Sequence, residues 1–144
     1  AIDLVTRKIP LEGGSTVAAY IDELRGTVAA VKASNTPAFG ETAARLGEAV
    51  DSLERATAWL LAQKSSAEAL AGATPYLRLF GNTAGGCMLA DQALAALREA
   101  GDGAGRTALA RFFAENIAVQ AGGLERSVTE GADSINAAQA ALAE

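Results

Sequence analysis

Apolar side chains return every three or four residues along most of this chain, and that period decides the fold class before anything else is weighed. Val17, Ile21, Leu24, Val28 and Val31 draw one narrow stripe, and Leu46, Val50, Leu53 and Leu60 repeat the spacing farther on. A half-buried strand would alternate at every second residue, and no such run competes with the helical period. Alanine, the best helix former, supplies 35 of the 144 residues and so nearly half of the apolar half. A chain of this length is enough for one domain, which can remove roughly 70% of its unfolded surface from water.

Turn residues divide the pattern into four long segments. Apolar residues at 2, 5 and 9 predict a short helix that Pro10 ends. Because the chain opens in helix and without methionine, residues 1–9 read as the tail of a preceding helical domain and residues 10–144 as the domain itself. After the Gly13-Gly14 turn, Ser15 or Thr16 is expected to cap helix one by accepting free amides. Thr36 and Pro37 are expected to cap and open helix two, which should run from Pro37 to about Lys64, with Trp59 and Leu61 widening its stripe. Ser65 and Glu68 match a capping box for helix three, whose buried side is predicted as Leu70, Leu77, Phe80, Ala84, Met88 and Leu94. Pro75 should kink it or break it briefly, since it cannot donate to the Ala71 carbonyl and its ring crowds it. Asp102 in the Gly101–Gly105 turn can cap helix four, expected from about Ala104 past Ala121. Its apolar side is read as Leu109, Phe112, Phe113 and Ile117, continuing to Leu124, Val128 and Ile135. The alanine-rich tail from Ser134 is expected to fray. The fold class that follows is all-α, an antiparallel up-down four-helix bundle.

The inventory of reactive groups is poor. Twelve basic residues against seventeen acidic ones leave a formal charge of -5, which repels nucleic acid and anionic lipid. No run approaches the ~20 apolar residues of a membrane span, and no secretory leader is evident, so a cytoplasmic location is expected. Histidine is absent and Cys87 is the only thiol, which removes histidine triads, Glu-x-x-His metal sites and an internal disulfide. Asp91 and Glu115 could in principle pair as acid and base, but both read as solvated edges of the stripes. Cys87, without a histidine to draw off its proton, reads as packing. Arg106 and Arg111 could meet an anion, though ordinary surface ion pairing explains them. The clusters at Gly13-Gly14 and Gly101–Gly105 follow no strand and lack the lysine of a phosphate loop. Tyr20, Trp59 and Tyr76 are too scattered to stack bases. Gly81-x-x-x-Gly85 has the spacing that lets another helix approach closely. No residue is assigned a catalytic, cofactor-binding or metal-ligating role.

The string Ala73-Thr74-Pro75-Tyr76-Leu77-Arg78-Leu79-Phe80-Gly81, followed by Ala84-Gly85-Gly86 and Leu89-Ala90, resembles the C-terminal extension of bacterial acyl-CoA dehydrogenases of the methylthiopropionyl-CoA dehydrogenase-like group. Ala110-Arg111-Phe112-Phe113-Ala114-Glu115 is similar to the arginine and paired aromatics on that extension's last long helix. Ile2-Asp3-Leu4-Val5-Thr6-Arg7-Lys8 resembles the run that closes the preceding flavoprotein domain. Two positions depart from the pattern: Cys87 stands where a bulky apolar residue is frequent, and Asp91 where a small or basic one is.

The resemblance implies a parent enzyme in which a glutamate removes the α proton of an acyl-CoA thioester while the N5 of FAD accepts the β hydride. That glutamate lies in a motif before the part matched here, so the chain is expected to be an accessory domain that binds no cofactor and is not catalytic alone. Its expected partner is the dehydrogenase domain of the same polypeptide, with a homo-oligomer possible. The acyl-CoA and an electron-transfer partner belong to the parent. The competing reading is a freestanding helical interaction module, and a flavoprotein reading frame upstream of Ala1 would separate the two.

Overall fold

Val17, Ile21, Leu24 and Val31 lie buried along one side of α1 (Ser15–Ala33), as their spacing requires, and most of the chain follows the same logic with shifted boundaries. The computed structural model describes residues 1–63, 66–99 and 102–143. Among these, regular structure is entirely helical, so the protein is all-α: α1 is followed by α2 (Thr42–Ala62), α3 (Ser66–Ala71), α4 (Ala73–Arg98), α5 (Gly103–Asn116), α6 (Ala121–Thr129) and α7 (Gly131–Leu142). Lys64, Ser65 of the expected capping box, and Gly101 of the expected turn lie outside the described residues.

Residue pairs give the directions of packing. Arg25 of α1 reaches Asp51 of α2 (Nη1–Oδ1 2.7 Å), while an added Cβ at Gly47 would touch Val28, so rising numbers on α1 meet falling numbers on α2. Thr57 meets Tyr76 and Leu46 meets Gly86, which sets α2 antiparallel to α4 as well. Arg106 meets Gln92 and Phe113 lies by Gly85 and Gly86, so α5 runs back along α4. Tyr20, Leu24 and Thr27 face Phe80, Cys87 and Asp91 in the same order, placing α1 and α4 side by side in parallel. The deepest side chains, Leu46, Val50, Leu53, Tyr76 and Leu79, come from α2 and α4, which form the middle of the core.

Several expected boundaries move. Helix two does not start at Pro37: residues Pro37–Phe39 form a single 3-10 turn that buries Phe39, Gly40 breaks the direction at φ 50°, and α2 begins at Thr42. Thr36 makes no capping bond. Ser15 and Thr16 do not accept amides either; their hydroxyls donate to the carboxylate of Glu12 (3.4 and 3.3 Å), itself in the left-handed region at φ 51°. The short break expected ahead of Pro75 is present. The break falls at Gly72, between α3 and α4, and Pro75 sits in the first turn of α4, where the missing amide costs nothing. The fourth segment is interrupted after Asn116 and again at Glu130. Asp102 caps α5 as expected, its Oδ1 accepting from the Gly105 amide at 2.9 Å. The tail is helical to Leu142.

The faces of α4 and α5 also differ from expectation. Ala84 and Leu94 are buried as expected and Phe80 is half-buried, but Leu70, Leu77 and Met88 are exposed, and Tyr76, Leu79, Thr83, Cys87 and Ala90 join the buried side of α4 instead. On α5, Leu109 and Phe112 are exposed while Thr107, Ala110 and Ala114 are buried; beyond it Ile135 is exposed too. The reason is size. Alanine, glycine and threonine dominate the facing sides, and Gly85 and Gly86 leave room for the single large ring between α4 and α5, that of Phe113. The threonines there satisfy themselves: Thr83 donates to the Leu79 carbonyl and Thr107 to that of Gly103.

Outer ties are charged. Arg55 of α2 grips Glu125 of α6 through two bonds (Nε–Oε1 2.7 Å, Nη2–Oε2 2.8 Å). The Arg55 hydrogen bonds hold the Glu125 carboxyl below its ordinary value near 4.5, partly offset by burial. A carboxyl depressed in the folded state adds stability above its unfolded value, and that stability is lost as pH falls through the lower folded value. Glu125→Gln should therefore flatten the fall in urea midpoint below about pH 4.5, while at neutral pH it costs only about 0.5–1 kcal/mol because Arg55 is largely exposed.

Candidate docking surfaces

Two features of the surface stand out from the packed core. The first is the outward side of α4 and α5. Leu77 and Met88 project from α4, the latter 58% exposed, and Leu109 and Phe112 from α5, the latter 57% exposed. Gly81 faces open space and Gly85 meets only the edge of Phe113, 3.7 Å from where its Cβ would be. Within this chain, then, the Gly81-x-x-x-Gly85 spacing is not used for close helix packing. The close approach falls at Gly86, where an added Cβ would lie 2.6 Å from Leu46 Cδ2. An exposed glycine inside a helix costs about 1 kcal/mol relative to alanine, and no contact of Gly81 in this chain offsets it.

The second feature is an apolar groove of about 320 Å³ where the N-terminal segment crosses α1 and α4. Leu4, Ile9, Leu11, Val17, Tyr20 and Phe80 form its walls, with Lys8 and Thr16 at its edge. Tyr20 and Phe80 stack with ring centroids 5.6 Å apart and planes 15° from parallel. Burial pushes the Tyr20 hydroxyl's pKa up from its usual value, with Cys87 and Glu23 adding to the shift.

The polar residues singled out in the sequence are separate and structurally engaged. Asp91 accepts from the Thr27 hydroxyl (3.0 Å) and so ties α4 to α1. Glu115 accepts from the Glu41 amide (3.1 Å) and from Arg111 Nε (2.9 Å), and the amide bond above all holds its carboxyl below the usual range. No hydrogen bond joins Asp91 to Glu115, which belong to different latches. Arg106 donates to Gln92 Oε1 at 3.2 Å. Cys87 is fully buried, and burial first, then Asp91, pushes its thiol up to about 12, the opposite of what a nucleophile needs. Tyr76 is likewise fully buried and Trp59 half-buried. Among the described residues no three aspartate, glutamate or cysteine side chains gather as metal ligands.

Comparison with known families gives the chain's kinship. The acetyl-CoA dehydrogenase C-terminal-like family matches residues 20–139. The chain belongs to that family. No curated protein and no solved structure matches it. The match runs from within α1 through most of α7, so the outward side of α4 and α5 of this acyl-CoA dehydrogenase C-terminal domain falls within it, whereas of the groove only Tyr20 and Phe80 do. One hollow of about 540 Å³ is bordered by Glu41, Glu48 and Asp51 against Lys32 alone, a setting that opposes the diphosphate of FAD there. No described helix of the domain is long and apolar enough to cross a membrane.

The outward side of α4 and α5 was hidden from sequence reasoning because its large residues imitate a core stripe. The groove was missed for a different reason: three separated segments build it, and no local motif marks it.

Proposed function

We propose that this chain is the C-terminal accessory domain of an FAD-dependent acyl-CoA dehydrogenase, packed against the catalytic domain of the same polypeptide and not catalytic by itself. Residues 1–9 are the tail of the preceding helical domain in this reading, and residues 10–144 form an up-down bundle. Val5 and Ile9 lie in the bundle's core, so the tail fastens one domain to the other. The observation that carries the proposal is the set of large apolar side chains on the outward side of α4 and α5, where Leu77, Met88, Leu109 and Phe112 stand exposed among Arg78, Arg106 and Arg111 and no described element covers them. Exposed apolar area of this kind marks a protein contact. In the parent, located in the cytoplasm, FAD and the catalytic glutamate belong to upstream sequence, and this domain shapes acyl preference or assembly.

The test uses the full-length parent with Met88→Glu and Phe112→Glu together, beside a deletion of residues 10–144. Stability, assembly and the ranking of acyl-CoA thioesters, including straight-chain, aromatic and sulfur-containing ones, should change in both. If all three stay as in the unaltered enzyme, the domain has no accessory role. An upstream frame encoding no flavoprotein would instead favour the freestanding interaction module.

A further inference from the structure

We infer that the groove between the N-terminal segment, α1 and α4 is a binding site for a monoanionic amphiphile, a medium-chain fatty carboxylate. The inference is independent of the docking role of α4 and α5. At about 320 Å³ the groove lies at the small end of ligand pockets, roughly 300–1,000 Å³. Its walls offer a hydrocarbon tail aliphatic contacts from Leu4, Ile9, Leu11 and Val17 and two stacked ring edges from Tyr20 and Phe80.

The backbone that builds the groove is unusual in two places. Residues Leu4–Lys8 form a π turn, closed by the Ile9 amide on the Leu4 carbonyl at 2.9 Å. A π turn brings residues four and five positions apart to nearly the same side, so one turn delivers Leu4, Lys8 and Ile9 to the groove together; such turns concentrate at functional sites. Four residues on, Glu12 is held in the left-handed region, a conformation that disfavours a side chain, while its carboxylate is occupied by the Ser15 and Thr16 hydroxyls.

Charge selects the head group. Arg7 is paired with Asp3 at 3.2 Å, whereas Lys8 takes part in none of the ion pairs among the described residues. It is the one cationic residue on the groove's lining. A single ammonium balances one negative charge, which favours a carboxylate over a doubly charged phosphate.

Titration of the 144-residue chain with decanoate, decanol and decyltrimethylammonium, followed by NMR, decides the matter. Decanoate should bind saturably, one per chain, and shift the ring resonances of Tyr20 and Phe80. Lys8→Gln should weaken decanoate about tenfold, as loss of a charge-assisted hydrogen bond does, and leave decanol unchanged. Thr16→Trp, at an exposed edge position, should fill the groove and abolish both. Absence of saturable binding, equal affinity for decyltrimethylammonium, shifts confined to other residues, or indifference to either substitution would each overturn the assignment.

Discussion

Tyr76→Ala should lower the free energy of unfolding by about 3–5 kcal/mol, the range for truncating a large buried aromatic. Tyr76 is the largest of the fully buried side chains and lies where α4 crosses α2. Its hydroxyl is also committed. Thr57 Oγ1 donates its only hydrogen to the Leu53 carbonyl (2.7 Å), so in the contact between Tyr76 Oη and Thr57 Oγ1, also 2.7 Å, the tyrosine donates. Tyr76→Phe removes that bond and leaves Thr57 its own, at a cost of about 1 kcal/mol. Thr57→Val strands a buried donor on Tyr76 and should cost more, about 1–3 kcal/mol. Urea unfolding with an unchanged m-value checks the series; a Tyr76→Ala loss below that of Thr57→Val would show that the core collapses around the cavity. Burial pushes the Tyr76 hydroxyl up to about 12. Because the folded value lies above the unfolded one, near 10, the wild type should lose stability as pH climbs from about 10 to 12, and Tyr76→Phe should lose less.

The second large effect is expected at Gly40. Its φ of 50° and ψ of -127° form a combination that side chains strongly disfavour, which alone costs about 1–3 kcal/mol for any replacement. An added Cβ would also lie 2.5 Å from Arg111 Nε and 2.8 Å from Glu115 Oε1. Gly40→Ala therefore strains the turn into α2 and displaces the arginine that holds Glu115, which in turn receives the Glu41 amide. A double-mutant cycle separates the two costs. In an Arg111→Ala background the clash with the guanidinium is gone and the backbone strain remains. If Gly40→Ala is neutral in that background, backbone strain at this turn is negligible and the clash was the whole effect.

Some parts of this architecture were legible because local chemistry alone dictates them. The stripe of α1 and the Asp102 cap of α5 stand where spacing and capping preference put them. Glycine and proline marked the right neighbourhoods: the short break expected near Pro75 falls at Gly72, while the turn into α2 falls at Gly40 and not at Pro37. The faces of α4 and α5 were misjudged because large apolar residues were taken for the core. Leu77, Met88, Leu109 and Phe112 face outward, while small residues such as Thr83, Gly86, Ala90, Thr107, Ala110 and Ala114 take many of the buried positions on these helices.

Sequence by itself determined an all-α chain without histidine, with one thiol, and with few groups able to do chemistry, since period and inventory are properties of the residues alone. Its kinship was equally readable, from Tyr76 to Gly86 and from Ala110 to Glu115. Only the tertiary structure decided which side of α4 and of α5 is inside, because a helix rich in alanine and glycine has more than one face that can be buried. That choice depends on how closely neighbouring backbones approach. The groove around Tyr20 and Phe80 belongs to the same category: it exists only once residues far apart in the chain are brought together.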